Sequence, residues 1–204
     1  MSKILYFIKQ SWLLVVASLG FGLILAAAEG ALRPRIEANQ QAKMTRLCKA
    51  LMSEAQDFKV VKEAAEISHP KRTITTNILQ GTNAQGQVIG YAFVAEGPGF
   101  AGPIQIVIGA DRTLETLTGF RVLTSSETPG FGDKITQRYY QEQFKGAPYG
   151  TLELAKVGNP ETIDRQIVAI SGATVSSEAV VSIFNTYVDS VRTTLVKEGL
   201  INGN

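Results

Sequence analysis

An α+β domain tethered by an N-terminal transmembrane helix is the fold class this sequence predicts. Three observations predict it. The first is a charge-free apolar run from Gln10 to Ala28. The second is a stretch from about Arg72 to Leu123, rich in β-branched residues and broken by short turn signals. The third is a closing segment with Val180, Val181, Phe184, Tyr187, Val188 and Val191 at helical spacing. Short turns between adjacent strands imply a mostly antiparallel sheet, with helices packed on it.

The first element is the membrane helix. Gln10 to Ala28 would extend about 28 Å as a helix, close to the hydrocarbon thickness of about 30 Å. Ile4 to Ile8 extend the run, and Tyr6 and Trp12 suit the interface. The competing reading is a cleaved signal peptide, with Lys3 and Lys9 as its basic region and Ala26-Ala27-Ala28 as its cleavage site. The apolar stretch exceeds the roughly 7–15 residues of such a peptide, which favours a retained anchor. Arg33-Pro34-Arg35 is expected to break the span, giving an anchor over residues 1–30 and a globular domain over 31–204. With Lys3 and Lys9 held inside, that domain lies outside the cytoplasm.

An amphipathic helix follows, with Met44, Leu47, Cys48, Leu51, Met52 and Ala55 on one face. Strands are then expected over Thr73–Leu79, Gln87–Ala95, Pro103–Gly109 and Leu114–Leu123, with a turn at Asn83-Ala84-Gln85-Gly86. Gln137 to Phe144 reads as a short helix. Leu152–Val157 and Ile163–Ile170 read as further strands. The closing helix starts near Ser177 and runs to about Lys197, stopped by Gly199.

Composition excludes several function classes. Hydrophobic residues make up 45% and charged residues 19%, as in a packed domain rather than a disordered chain. The net charge is +2 with no basic run, so nucleic acid is not an expected partner. One cysteine, Cys48, and one histidine, His69, leave no disulfide framework, zinc site or Cys-x-x-Cys-His haem attachment. A redox role would need a cofactor not held by cysteine. Cys48 reads as packing and His69 as a surface residue before Pro70; no metal or catalytic residue is expected.

Three strings stand out. Gly97-Pro98-Gly99-Phe100-Ala101-Gly102 matches Gly-x-Gly-x-x-Gly, but a strand follows it where a dinucleotide site needs a helix. It reads as a tight connection between strands. Glu127-Thr128-Pro129-Gly130-Phe131-Gly132 is a Pro-Gly turn whose glycines let a planar ligand approach the backbone. Ser171-Gly172-Ala173-Thr174-Val175-Ser176-Ser177 opens the closing helix. Its plain reading is N-capping by Ser or Thr; its functional reading is an anion site made from the helix's unpaired N–H groups.

Together these strings resemble the FMN-binding domain family shared by the G subunit of the Rnf complex and the C subunit of the sodium-translocating NADH:quinone reductase. Gly99, Phe100, Gly102 and Ile104 match a family Gly-Tyr/Phe-x-Gly-x-Ile segment. Glu127 to Gly132 match its Glu-Thr-Pro-Gly-Leu-Gly loop, with Phe131 in place of leucine. Ser171 to Thr174 match its flavin-attachment motif. The resemblance implies FMN joined to Thr174 by a phosphoester, installed by a flavin transferase. It implies cofactor contacts from Ser171, Gly172, Ala173, Val175, Ser176, Ser177, Glu127, Thr128, Gly130, Phe131 and Gly132. The phosphate is expected on the N–H groups of Val175 to Ser177, with help from the Ser171 and Ser176 hydroxyls. One residue departs from the motif: Val168 stands where the family has an aspartate, and Asp164 lies four residues further upstream.

The implied role is an electron-carrier subunit, not a complete enzyme, in a bacterial inner-membrane Rnf-type complex coupling ferredoxin and NAD to ion movement. Its partners would be the other membrane subunits, and its single-pass anchor would present the domain to the periplasm. Two alternatives stay open: a membrane-anchored flavin-binding, sensory or scaffold domain without redox function, and a C-type subunit of the quinone reductase. The short region after the anchor fits the G subunit better.

Overall fold

The computed structural model of the chain describes residues 2–68 and 74–202. His69, Pro70, Arg72 and Thr73, for which a surface turn and a strand start were expected, lie outside the described residues. The chain divides between Lys43 and Met44 into two compact units.

Helix α1, Ser2–Leu51, is continuous. The expected break at Arg33-Pro34-Arg35 does not occur: Pro34 sits inside the helix. Proline removes one backbone donor and crowds the turn before it. Here Ala26-Ala27-Ala28 before it and Glu37-Ala38 after it favour helix on both sides. In the first unit the apolar side chains of the span, among them Trp12, Leu14, Phe21 and Leu23, are exposed within the chain. The helix is long and apolar enough to cross a bilayer.

In the second unit, the last turns of α1 bring Cys48 and Leu51 onto a five-stranded sheet. The helix stops at Leu51 instead of continuing to Ala55. Met52 and Ala55 remain buried, because the turn after the helix keeps them on the same face of the sheet. The sheet is an antiparallel meander in the order β1-β2-β3-β4-β5: Asp57–Ile67, Ile74–Thr82, Val88–Pro98, Pro103–Asp111 and Leu117–Ser125. A Cβ on Gly109 would stand 3.1 Å from Leu51 Cβ, so the bare backbone there lets the end of α1 lie close.

Two turns are fixed by local side chains. Asn83 Oδ1 accepts the N–H groups of Gln85 and Gln87 at 3.0 and 2.9 Å, the expected turn between β2 and β3. The Asp111 carboxylate accepts from the N–H groups of Glu115 and Thr116 at 2.9 and 3.2 Å. That turn holds Leu114 at φ +54 and delays β5 to Leu117, past the expected start at Leu114. The edge strand β1 was not anticipated from the sequence.

The chain then passes through a 3₁₀ turn, Gly132–Thr136, a short helix α2, Arg138–Gln141, and another 3₁₀ turn, Glu142–Phe144. Two three-residue strands, β6 (Glu153–Ala155) and β7 (Gln166–Val168), pair in parallel. Helix α3, Thr174–Lys197, covers the second face of the sheet. Its apolar stripe enters a core with Phe93, Phe120, Tyr140 and Phe144. Phe144 stacks on Phe184 with centroids 4.9 Å apart and meets Phe120 edge-on at 4.7 Å. The buried hydroxyls of Tyr140 and Tyr149 donate to the carbonyls of Ser177 and Val188 at 3.2 and 2.8 Å. At the C-terminal end, Gly199 at φ +67 and the Leu200 N–H to Leu195 O bond (3.0 Å) close the helix.

Candidate functional site

Helix α3 begins without a side-chain cap. Its N-cap residue is Ala173, which has no side-chain oxygen to offer. The Ser and Thr residues around it do not replace that function, so the capping reading of the sequence fails. The Ala173 N–H is satisfied by the Ile170 carbonyl at 2.9 Å, and the Ser177 N–H makes the first helical bond, to Ala173 O at 3.0 Å. The N–H groups of Thr174, Val175 and Ser176 precede that bond. They form the positive end of a helix of 24 residues, suited to an anion.

The serines differ from expectation. Ser177 is fully buried. Its Oγ donates to Ala173 O and accepts from the Ile170 N–H, both at 3.0 Å. Its N–H and its hydroxyl are therefore both committed within the chain. Ser176 is also buried, and its hydroxyl donates to Glu127 Oε2. The donor set thus shifts one residue earlier than the expected Val175 to Ser177. Ser171 and Gly172 are exposed, with Gly172 at φ +79. Thr174 is half-buried and Val175 exposed.

In front of this helix end lies a cavity of about 430 Å³ with mostly apolar walls. Gly172, Ala173, Thr174, Val175 and Ser176 form one side; Thr128, Phe131 and Gly132 form another; Phe100 closes it. The fold thus brings the loop 127–132 and the motif 171–176, far apart in sequence, to one place. Ser171, Ser177, Glu127 and Gly130 are not among the lining residues. Phe100 was recognised in the glycine string but not assigned to the site. Its 69% exposure, with 59% at Phe131 and 53% at Val175, marks an apolar rim. Lys134 Nζ stands 5.9 Å from the Phe131 ring centroid, a cation–π contact at the edge of that rim.

The residues fit FMN. The volume falls in the range of about 300–1,000 Å³ typical of small-molecule sites. Aromatic and aliphatic walls suit a planar ring system, and the uncapped helix end suits a phosphate. Gly132 lines the cavity, but the room left by its missing side chain faces the protein: a Cβ there would stand 2.6 Å from Ser176 Oγ and would overlap Glu127 Oε2. Val168 lies on β7, half-buried, its N–H and C=O held by the side chain of buried Gln143 at 2.8 and 3.2 Å.

Comparison with known proteins identifies the domain that carries this cavity. Residues 99–189 match the FMN-binding domain. The chain is 32% identical over 178 residues to the G subunit of the ion-translocating oxidoreductase complex of Methanosarcina acetivorans, covering 87% of this chain and 90% of that protein. It is 33% identical to the G subunit of the Na(+)-translocating ferredoxin:NAD(+) oxidoreductase complex of Acetobacterium woodii, covering 72% and 70%. Among solved structures, NqrC of Shewanella oneidensis shares the fold with a TM-score of 0.57 at 21% identity, over 71% of each chain. FMN is the cofactor of this domain, and the chain belongs to the family of G subunits of ion-translocating oxidoreductase complexes.

Proposed function

We propose that this chain carries FMN covalently on Thr174, as the electron-transfer subunit of an Rnf-type, ion-translocating ferredoxin:NAD oxidoreductase. The relatives' roles support the complex and imply its other subunits as partners. One observation carries the attachment: Thr174 is the first residue of an uncapped helix and lines an apolar cavity shared with Phe100 and Phe131.

FMN, when bound, supplies the one- and two-electron chemistry. The chain's own residues bind and orient it. The N–H groups of Thr174, Val175 and Ser176 would hold its phosphate. Phe100, Phe131 and Val175 would exclude water from its ring. A threonine hydroxyl is a weak nucleophile at neutral pH, so a separate flavin transferase is required. The reading includes a single-pass anchor in the bacterial inner membrane with the domain on the periplasmic side, supported by Lys3 and Lys9 before the apolar run.

Thr174→Ala tests the attachment. Co-expressed with a flavin transferase, it should lose in-gel flavin fluorescence under denaturing conditions. Thr186→Ala, on the same helix with its hydroxyl bonded to Ser182 O, should keep it. Fluorescence that survives Thr174→Ala refutes the assignment.

A further inference from the structure

We propose that Glu127 is a positioning residue: it holds the three walls of the cavity in register and lends its negative charge to the site from behind them, without touching the cofactor. The proposal rests on the FMN reading above. Three observations carry it.

Glu127 is 7% exposed and bridges separate segments. Its Oε1 accepts the Ala101 N–H at 3.0 Å, which fixes the connection carrying Phe100. Its Oε2 accepts the Ser176 hydroxyl, which fixes the first turn of α3 carrying Thr174. Its own backbone leads into Thr128, Phe131 and Gly132. Each segment it joins lines the cavity, while Glu127 is absent from the lining.

The surrounding glycines make room for this carboxylate. A Cβ on Gly99 would overlap Glu127 Oε1, and one on Gly132 would overlap Oε2. The glycine spacing read as close approach for a planar ligand therefore has a second purpose. It lets one buried carboxylate reach two backbones.

The charge has no cationic partner among the described ion pairs. It is held by two hydrogen bonds and by the positive end of α3. Gly132 and Ser176 form cavity wall on one side and meet Glu127 on the other. Adding negative charge to an occupant of the cavity is then harder than it would be with a neutral residue at this position.

Glu127→Gln separates clamp from charge. It keeps an oxygen for the Ala101 N–H and an amide that can face Ser176, but removes the charge. Glu127→Ala removes both. In the full chain in detergent, on a Thr174→Ala background without flavin, amide exchange at Ala101 should be slow with Glu127 intact and equally slow in Glu127→Gln. It should be at least about tenfold faster in Glu127→Ala. In the flavin-loaded chain, a dithionite titration should find the reduced-to-oxidised ratio of Glu127→Gln at least about threefold higher at the wild-type midpoint. Flavin content per chain, measured alongside, should match wild type.

Equal Ala101 exchange in all three forms overturns the clamp. An unchanged midpoint at equal flavin content overturns the charge effect. Absence of flavin from wild-type chain made with its transferase overturns the FMN reading and the charge effect with it, while the exchange result still decides the clamp. If Glu127→Ala does not fold, the exchange comparison moves to Glu127→Asp, whose shorter side chain cannot reach the Ala101 N–H and the Ser176 hydroxyl together; Ala101 should exchange faster there, and unchanged protection refutes the clamp.

Discussion

Adding one methyl group at Gly132 should destabilise the domain more than adding one at Gly130, although only Gly130 has a backbone that disfavours side chains. At Gly130, φ is +79 and nothing lies within 4 Å of a new Cβ. Gly130→Ala then carries only the left-handed penalty, about 1–2 kcal/mol. At Gly132 a new Cβ would stand 2.6 Å from Ser176 Oγ and 3.0 Å from Glu127 Cβ, and would overlap Glu127 Oε2. Relaxed carbon contacts need about 3.5 Å or more. Glu127 and Ser176 would have to part. Overpacking of this kind costs about 1–3 kcal/mol, and losing a hydrogen bond to a charged group adds about 1.5–3 kcal/mol. Gly132→Ala should therefore cost about 3 kcal/mol or more, a large share of a typical domain stability of about 5–15 kcal/mol. Urea titration of the full chain in detergent, followed by near-ultraviolet circular dichroism of the buried tyrosines, measures both variants. The steric reasoning fails if Gly132→Ala unfolds at the same or higher urea concentration than Gly130→Ala.

Three further predictions concern the rest of the chain. Val168→Asp restores the family carboxylate at a half-buried position whose backbone Gln143 already holds, and it should raise the flavinylated fraction; equal intact-mass spectra would make that carboxylate dispensable here. Burial pushes the hydroxyls of Tyr140 and Tyr149 up from their ordinary value. For groups whose folded pKa is raised, the linked stability is full below the unfolded tyrosine range of about 10 and declines as pH rises above it. Absorbance at alkaline pH should show the Tyr140 and Tyr149 signal rising only as the chain unfolds, and full ionisation of the tyrosines while the protein stays folded would refute this. Alkaline phosphatase fused after Asn204 should be active in a bacterial host, and carbonate washing should leave the protein in the membrane; an inactive fusion overturns the orientation, and a released soluble chain starting near Glu29 overturns the anchor.

The meander from β2 to β5 and helix α3 were legible because their apolar residues keep a period and their turns carry Asn, Asp and Gly. Strand β1 was not, because its first half is mostly exposed and bulges interrupt its pairing with β2. Ala64, at φ +48, donates its N–H to Asn77 Oδ1 rather than into the ladder. Pro34 misled because a single proline marks a helix end only as a tendency, which the residues on both sides overrode. The two strings could be read from sequence, one as a turn and one as a helix start, but the helix begins at Thr174, earlier than the expected Ser177. The inward turn of Ser176 and Ser177 could not. A serine in the first turn of a helix looks the same in sequence whether it faces a ligand, a carbonyl or a buried carboxylate.

The order of elements in the meander bears on how the chain is made. The sheet is complete once Ser125 has formed its pairs, yet α3 covers one face only through residues as far along as Leu195. During synthesis the strands therefore emerge well before their cover. Through that interval Phe93, Phe120 and the isoleucines of β4 have no apolar partner from α3. A chain in this condition is exposed to off-pathway association until α3 docks. The cavity is incomplete over the same interval, because Thr174 and its helix end arrive last.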